Sequence, residues 1–118
     1  MQIERVGVIG AGTMGNGIAQ ACAMAGMGVV MVDVAQAAVD RGIAAIGASL
    51  ERLQKKDRIT GDARSAALGR VRGSTAYADL AGASLIVEAA TENVELKLSI
   101  LRDVDVLAAP DTLVASNT

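Results

Sequence analysis

Apolar and polar positions along this chain follow two alternating periods, and the switches between them divide it into elements. Residues 3–9 carry a β-branched run that reads as a strand. Residues 14–25 follow as a helix, with Ile18, Ala21, Cys22 and Ala25 on one face, and Gly26 and Gly28 end it. Met14 and Met24 are expected to fill core space, the commoner use of methionine. Val29-Val30-Met31-Val32 reads as a second strand that stops at Asp33. Residues 35–55 then place Val39, Ile43, Ile46, Leu50 and Leu53 at steps of three and four, which makes one apolar helical stripe. Asp40, Arg41, Glu51 and Arg52 lie on the opposite face. No Ser, Thr, Asp or Asn directly precedes Gln36, so this helix starts with a weak cap, a defect that typically costs about 0.5–2 kcal/mol.

Lys55-Lys56-Asp57-Arg58 is a charged turn, and Thr60 is placed to cap a further helix to about residue 71. The two helices predict a hairpin, longer than a single crossover requires, and the extra length predicts a projection from the sheet. Short strands are expected at 73–77, 85–88 and 113–115, with a helix over 94–107 and a Pro110-Asp111 turn between the last two. Strands that alternate with helices give an α/β protein, a Rossmann-type doubly wound parallel sheet with an inserted helical hairpin. Right-handed crossovers put the first, second and fourth strands side by side at the switch point, where ligands bind beyond the strand ends.

The first strand runs directly into Gly10-Ala11-Gly12-Thr13-Met14-Gly15, the spacing Gly-x-Gly-x-x-Gly. Between a strand and a helix this spacing has a mechanism. Gly10 permits the tight turn, Gly12 lets a pyrophosphate approach the backbone, and Gly15 lets the helix pack close to the strand. The helix N-terminus adds unpaired N–H groups and the positive end of its dipole. Glycine-rich turns also arise for steric reasons alone. Here Asp33 stands 18 residues beyond Gly15, close to the spacing of an acid that hydrogen-bonds an adenosine ribose.

A length of 118 residues gives one domain. Hydrophobic residues make up 52% and charged residues 20%, so the chain is globular, and with Tyr77 as its one aromatic residue its core is aliphatic. A net charge of −2 without a basic tract argues against nucleic acid as a partner. Cys22 is the one cysteine, and its phase on the first helix makes it a small buried hydrophobe rather than a reactive thiol. There is no histidine, hence no histidine metal ligand and no histidine general base in these residues. The chain enters a strand by Val6 and holds no apolar run of membrane-spanning length, so a cytoplasmic protein without a leader is expected.

The stretch from Gly10 to Gln20 resembles the opening of the 3-hydroxyacyl-CoA dehydrogenases. So do Val32-Asp33, Ser49-Leu50-Glu51-Arg52-Leu53 with Lys55-Lys56, Val87-Glu88-Ala89 with Glu92-Asn93, then Lys97 and Ser116-Asn117-Thr118. The likeness runs the whole length, and the bacterial 3-hydroxybutyryl-CoA branch is the nearest. It implies NAD as cofactor and interconversion of a 3-hydroxyacyl-CoA and a 3-ketoacyl-CoA. It implies cofactor contacts from Gly10, Ala11, Gly12, Thr13, Met14, Gly15, Asp33, Ala90, Glu92, Lys97 and Asn117. It implies contacts from Ser49 and Lys56 to the CoA moiety of an acyl-CoA substrate. Read from sequence without the likeness, Lys56 is a solvated surface cation, and Glu92 and Lys97 are a helical charge pair poorly spaced at five residues.

The family continues with a serine after this Asn-Thr, then a His–Glu pair as catalytic base and orienting partner, then a helical domain that completes the site and dimerises. Residues 1–118 are therefore expected to be the NAD-binding domain of a longer homodimeric enzyme, without its catalytic residues and inactive alone. Ala35 also departs from relatives that often carry a capping Ser there. Two other readings stand beside this one: a free-standing, non-catalytic nucleotide-binding module, and a dehydrogenase of another hydroxyacid. The Ser49 to Lys56 stretch favours CoA over a small hydroxyacid.

Overall fold

A computed structural model describes residues 4–89 and 112–116. Five parallel strands form one sheet: β1 (Arg5–Ile9), β2 (Gly28–Val32), β3 (Val71–Ser74), β4 (Leu85–Glu88) and β5 (Leu113–Ser116). Their order is β3-β2-β1-β4-β5, so β1, β2 and β4 meet at the switch point as the sequence predicts. Successive residues of β1 and β2 feed opposite faces of the sheet, as the strand period of two requires. Val6, Val8, Val29 and Met31 join one buried cluster, and Ile9, Val30 and Val32 join the other with Leu80 and Ile86.

Three helices cover the first cluster: α1 (Thr13–Met24), α2 (Gln36–Lys55) and α3 (Gly61–Gly69). The apolar stripe of α2 is the predicted one: Val39, Ile46 and Leu50 are buried, and Ile43 and Leu53 pack against the cluster. Its weak start is also real, since Ala35 offers no side-chain cap. Thr60 does cap α3, its Oγ1 accepting from the Ala63 N–H at 3.0 Å. The helix expected over 94–107 lies outside the described residues. On the second face a 3₁₀ turn, Tyr77–Leu80, seats Leu80 against the strands.

Five expectations need correction. The helical hairpin does not stand off the sheet. Ala67 of α3 is buried in the main cluster and Ile59 and Leu68 pack on it, so the hairpin lies against the sheet while the 55–58 turn at its tip is exposed. Helix α3 stops at Gly69 and β3 begins at Val71, because Val71 pairs with Val29 of β2. The strand then ends at Ser74, whose Oγ accepts from the Ala76 N–H at 3.0 Å and turns the chain, so Tyr77 falls in the 3₁₀ turn. The rotation of α1 also differs. Its buried residues are Gly15, Ala19 and Ala23, while Ala21 and Ala25 are exposed. Met14 and Met24 consequently face outward, 53% and 43% exposed, and do not fill the core. Cys22 is half-buried against the cluster, and burial pushes its thiol pKa up, which keeps it protonated and unreactive.

Candidate functional site: the cleft at the strand ends

Gly10, Asp33 and Ala89 each follow directly on a strand, β1, β2 and β4, and the ladder continues into them. The Gly10 N–H donates to the Val32 carbonyl at 2.7 Å, and the Ala89 N–H to the Ile9 carbonyl at 2.8 Å. The chain then has to turn sharply, and Gly10 does so at φ +106°, a conformation that L side chains rarely adopt. A Cβ on Gly15 would lie 1.8 Å from the Gly10 carbonyl oxygen. The absent side chain therefore lets α1 rest on the turn, and this contact sets the rotation of the helix.

Asp33 is tied to the same turn. Its Oδ2 accepts from the Ala11 N–H at 3.0 Å, which holds the carboxylate across the mouth between β1 and β2. Asn16, one turn into α1, donates from Nδ2 to the Ala11 carbonyl at 3.3 Å and braces the loop from the other side. Gly12 caps α1 without a side-chain hydrogen bond, and the first turn of the helix carries no acid. Among the described residues, the start of the helix thus has no side-chain cap and no acid in its first turn to satisfy its dipole and leading N–H groups. A Cβ on Gly12 would meet nothing within 4 Å. Open space above bare backbone, with the positive end of a helix behind it, fits a pyrophosphate.

These residues line one cleft of about 420 Å³. Gly10, Ala11, Gly12, Thr13 and Asp33, all predicted from sequence, border it together with Asn16 and Ala89. Its far wall is α2, which presents Ala38, Arg41 and Ala45 on one face. Sequence reading missed this wall. The available signal was Gly42, a glycine within an amphipathic helical pattern. A Cβ there would lie 2.8 Å from the Ala11 carbonyl oxygen and 2.8 Å from Met31 Cε, so Gly42 is what lets α2 approach the loop.

Two predicted cofactor contacts do not line the cleft. Met14 is exposed on the first turn of α1, and Gly15 is buried beneath the loop as a packing residue. Ala90, Glu92, Lys97 and Asn117 lie outside the described residues. Ser49 and Lys56 are seven residues apart at the end of α2, so they share a face about 10 Å apart along the axis. Ser49 is half-buried and Lys56 exposed, and neither reaches the cleft.

Residues 5–118 match the family model for the 3-hydroxyacyl-CoA dehydrogenase NAD-binding domain. The chain belongs to the 3-hydroxyacyl-CoA dehydrogenase family. NAD is the cofactor this domain serves. Among similar proteins, the 3-hydroxybutyryl-CoA dehydrogenase of Bradyrhizobium diazoefficiens is 40% identical over 116 residues, 98% of this chain and 40% of that one. A probable 3-hydroxybutyryl-CoA dehydrogenase of Deinococcus radiodurans is 41% identical over 114 residues, 97% of this chain and 41% of that one. The crystal structure of (S)-3-hydroxybutyryl-CoA dehydrogenase PaaH1 from Ralstonia eutropha superposes with a TM-score of 0.96 at 50% identity, covering 99% of this chain and 41% of that one. The chain thus spans about 40% of the length of these family members.

Proposed function

We propose that the protein containing this domain is an NAD-dependent oxidoreductase that interconverts 3-hydroxyacyl-CoA and 3-ketoacyl-CoA, with the 3-hydroxybutyryl thioester as its substrate. The observation that carries this reading is the shared cleft of the glycine turn and Asp33, within a chain whose family members carry that activity in their names. When bound, NAD supplies the acceptor for the hydride from the substrate's C3. The chain's own residues bind and orient. The N–H groups of the turn and the start of α1 hold the pyrophosphate. Asp33, already fixed by the Ala11 N–H, accepts hydrogen bonds from the adenosine ribose diol. By family resemblance, Ala90, Glu92, Lys97 and Asn117 supply further cofactor contacts. The alcohol proton goes to a base contributed from outside these residues, which contain no histidine. The same resemblance assigns that base and the homodimer contact to a C-terminal domain, and the reaction to fatty-acid β-oxidation. The free, half-buried Cys22 suits a reducing compartment, and we assign the protein to the cytoplasm.

Full-length protein should oxidise NADH when acetoacetyl-CoA is added, read as loss of NADH absorbance. Turnover of small hydroxyacids, with none of the CoA thioester, would overturn the assignment in favour of another hydroxyacid dehydrogenase.

Ser49 and Lys56 are assigned to the CoA moiety. Lys56 is an exposed cation at the end of α2, and one charge-assisted hydrogen bond to a phosphate contributes roughly 1.5–3 kcal/mol. Lys56→Ala in the full-length enzyme is expected to raise KM for acyl-CoA about tenfold or more while KM for NAD stays unchanged. Unaltered acyl-CoA kinetics would make Lys56 a solvated surface residue.

A further inference from the structure

The opposite end of the sheet carries a second concavity, of about 400 Å³. All five strands are parallel, so their N-terminal ends gather on one edge, away from the cofactor cleft. Two of them, β1 and β3, bring three arginines there. Arg5 opens β1, Arg70 immediately precedes β3, and Arg72 lies within it, and all three line the cavity with Gly28 and Asp79.

The charges do not balance. Among the described residues Asp79 is the one carboxylate of the lining, and it already accepts from the Ser74 hydroxyl and pairs with Arg72 Nη2 at 3.3 Å. Arg70 Nη1 donates to the Ala23 carbonyl at 2.8 Å, a bond that fixes the guanidinium without neutralising it. Arg5 forms no side-chain hydrogen bond or ion pair among the described residues. Its Nη1 lies 3.9 Å from where a Cβ on Gly82 would stand, so the bare turn at Gly82 leaves it room. Three guanidinium charges against one carboxylate leave two positive charges around a cavity, in a chain whose net charge is −2. Each guanidinium has five donors in a planar fork, of which these structural bonds use few.

We propose that this cavity binds a small phosphate monoester, at a site separate from the cofactor cleft. A dianion matches the uncompensated charge, and arginine forks match the oxygens of a phosphate. The concave shape and the chain's negative net charge select a small ligand over an extended polyanion.

The test uses full-length protein saturated with NAD, so that the glycine turn is occupied. Inorganic phosphate is titrated at constant ionic strength and followed by phosphorus NMR line width. Binding is expected, with the dissociation constant raised at least tenfold in Arg5→Gln/Arg72→Gln and unchanged in Lys56→Ala. Arg5→Gln alone, which removes no bond among the described residues, is expected to weaken phosphate at least threefold while NADH affinity and melting temperature stay as in the parent. No binding to the parent, equal binding by Arg5→Gln, or loss of binding in Lys56→Ala would each overturn the proposal.

Discussion

Gly15→Ala is expected to destroy the cofactor turn, whereas Gly12→Ala leaves the fold intact and removes most of the NAD affinity. The two glycines are three residues apart in one motif, yet their surroundings are opposite. A methyl on Gly15 would sit 1.8 Å from the Gly10 carbonyl oxygen and 2.7 Å from its carbon, and both are backbone atoms held by the ladder. Nothing there rotates away, so either the turn or α1 must move. Alanine's better helix propensity recovers less than about 1 kcal/mol. Overpacking against rigid backbone costs about 3 kcal/mol or more, a large part of a small domain's stability. A methyl on Gly12 meets nothing within 4 Å in the free protein. It occupies the space that the pyrophosphate needs, and a penalty of about 1–3 kcal/mol there corresponds to roughly ten- to hundredfold weaker binding. Thermal melts by circular dichroism and calorimetric titration with NAD separate the two outcomes. A Gly15→Ala protein that melts with the parent would refute the packing contact.

The second large effect is an absence of turnover. Residues 1–118, prepared as such, are expected to bind NADH and yet not consume it with acetoacetyl-CoA. Moving a hydride to or from C3 requires a group that exchanges the hydroxyl proton in the same event, and a positioned base or acid contributes typically 10²–10⁴-fold. These residues hold no histidine to serve as that base. Glu88 is disqualified by position: it is fully buried within β4, in register with Ile9 and Ser116, and does not line the cleft. By family resemblance the acyl group is held by residues outside this stretch, and lost orientation can remove roughly 7–11 kcal/mol of rate acceleration. NADH absorbance gives the readout, with protein mass confirmed to end at Thr118. A rate within tenfold of a full-length family member would show that the proton-transfer group lies within these residues.

Much of the site was legible in the sequence because it is local. The turn at Gly10, the N-terminus of α1 and the position of Asp33 at the end of β2 all follow from residues adjacent in the chain. The meeting of β1, β2 and β4 at the switch point was legible too, because crossover handedness leaves few alternatives. What escaped depends on contacts distant in sequence. The face that α1 buries is set by Gly15 resting on Gly10, so periodicity placed Ala21 and Ala25 inward and the structure turns them out. The end of α3 was overrun because Val71 suits a helix locally but pairs with Val29 across the sheet. The wall of Ala38, Arg41 and Ala45 needs Gly42 against Ala11, a contact spanning some thirty residues.

Arg41 bears directly on cofactor choice. It lines the same cleft as Asp33, so a cation for a 2′-phosphate is within the site, although Val34 and Ala35, not arginines, follow Asp33 in the chain. Asp33 is half-buried and fixed by the Ala11 N–H, whereas Arg41 is exposed and its charge is screened by solvent. The anchored carboxylate is therefore expected to decide the preference, accepting from a ribose diol and repelling a 2′-phosphate. Calorimetric titration of the chain with NAD and, separately, with NADP measures this. The account predicts one NAD bound per chain, and NADP at least about tenfold weaker, a difference of roughly 1.4 kcal/mol. Equal affinity for the two, or no heat with NAD, would contradict it.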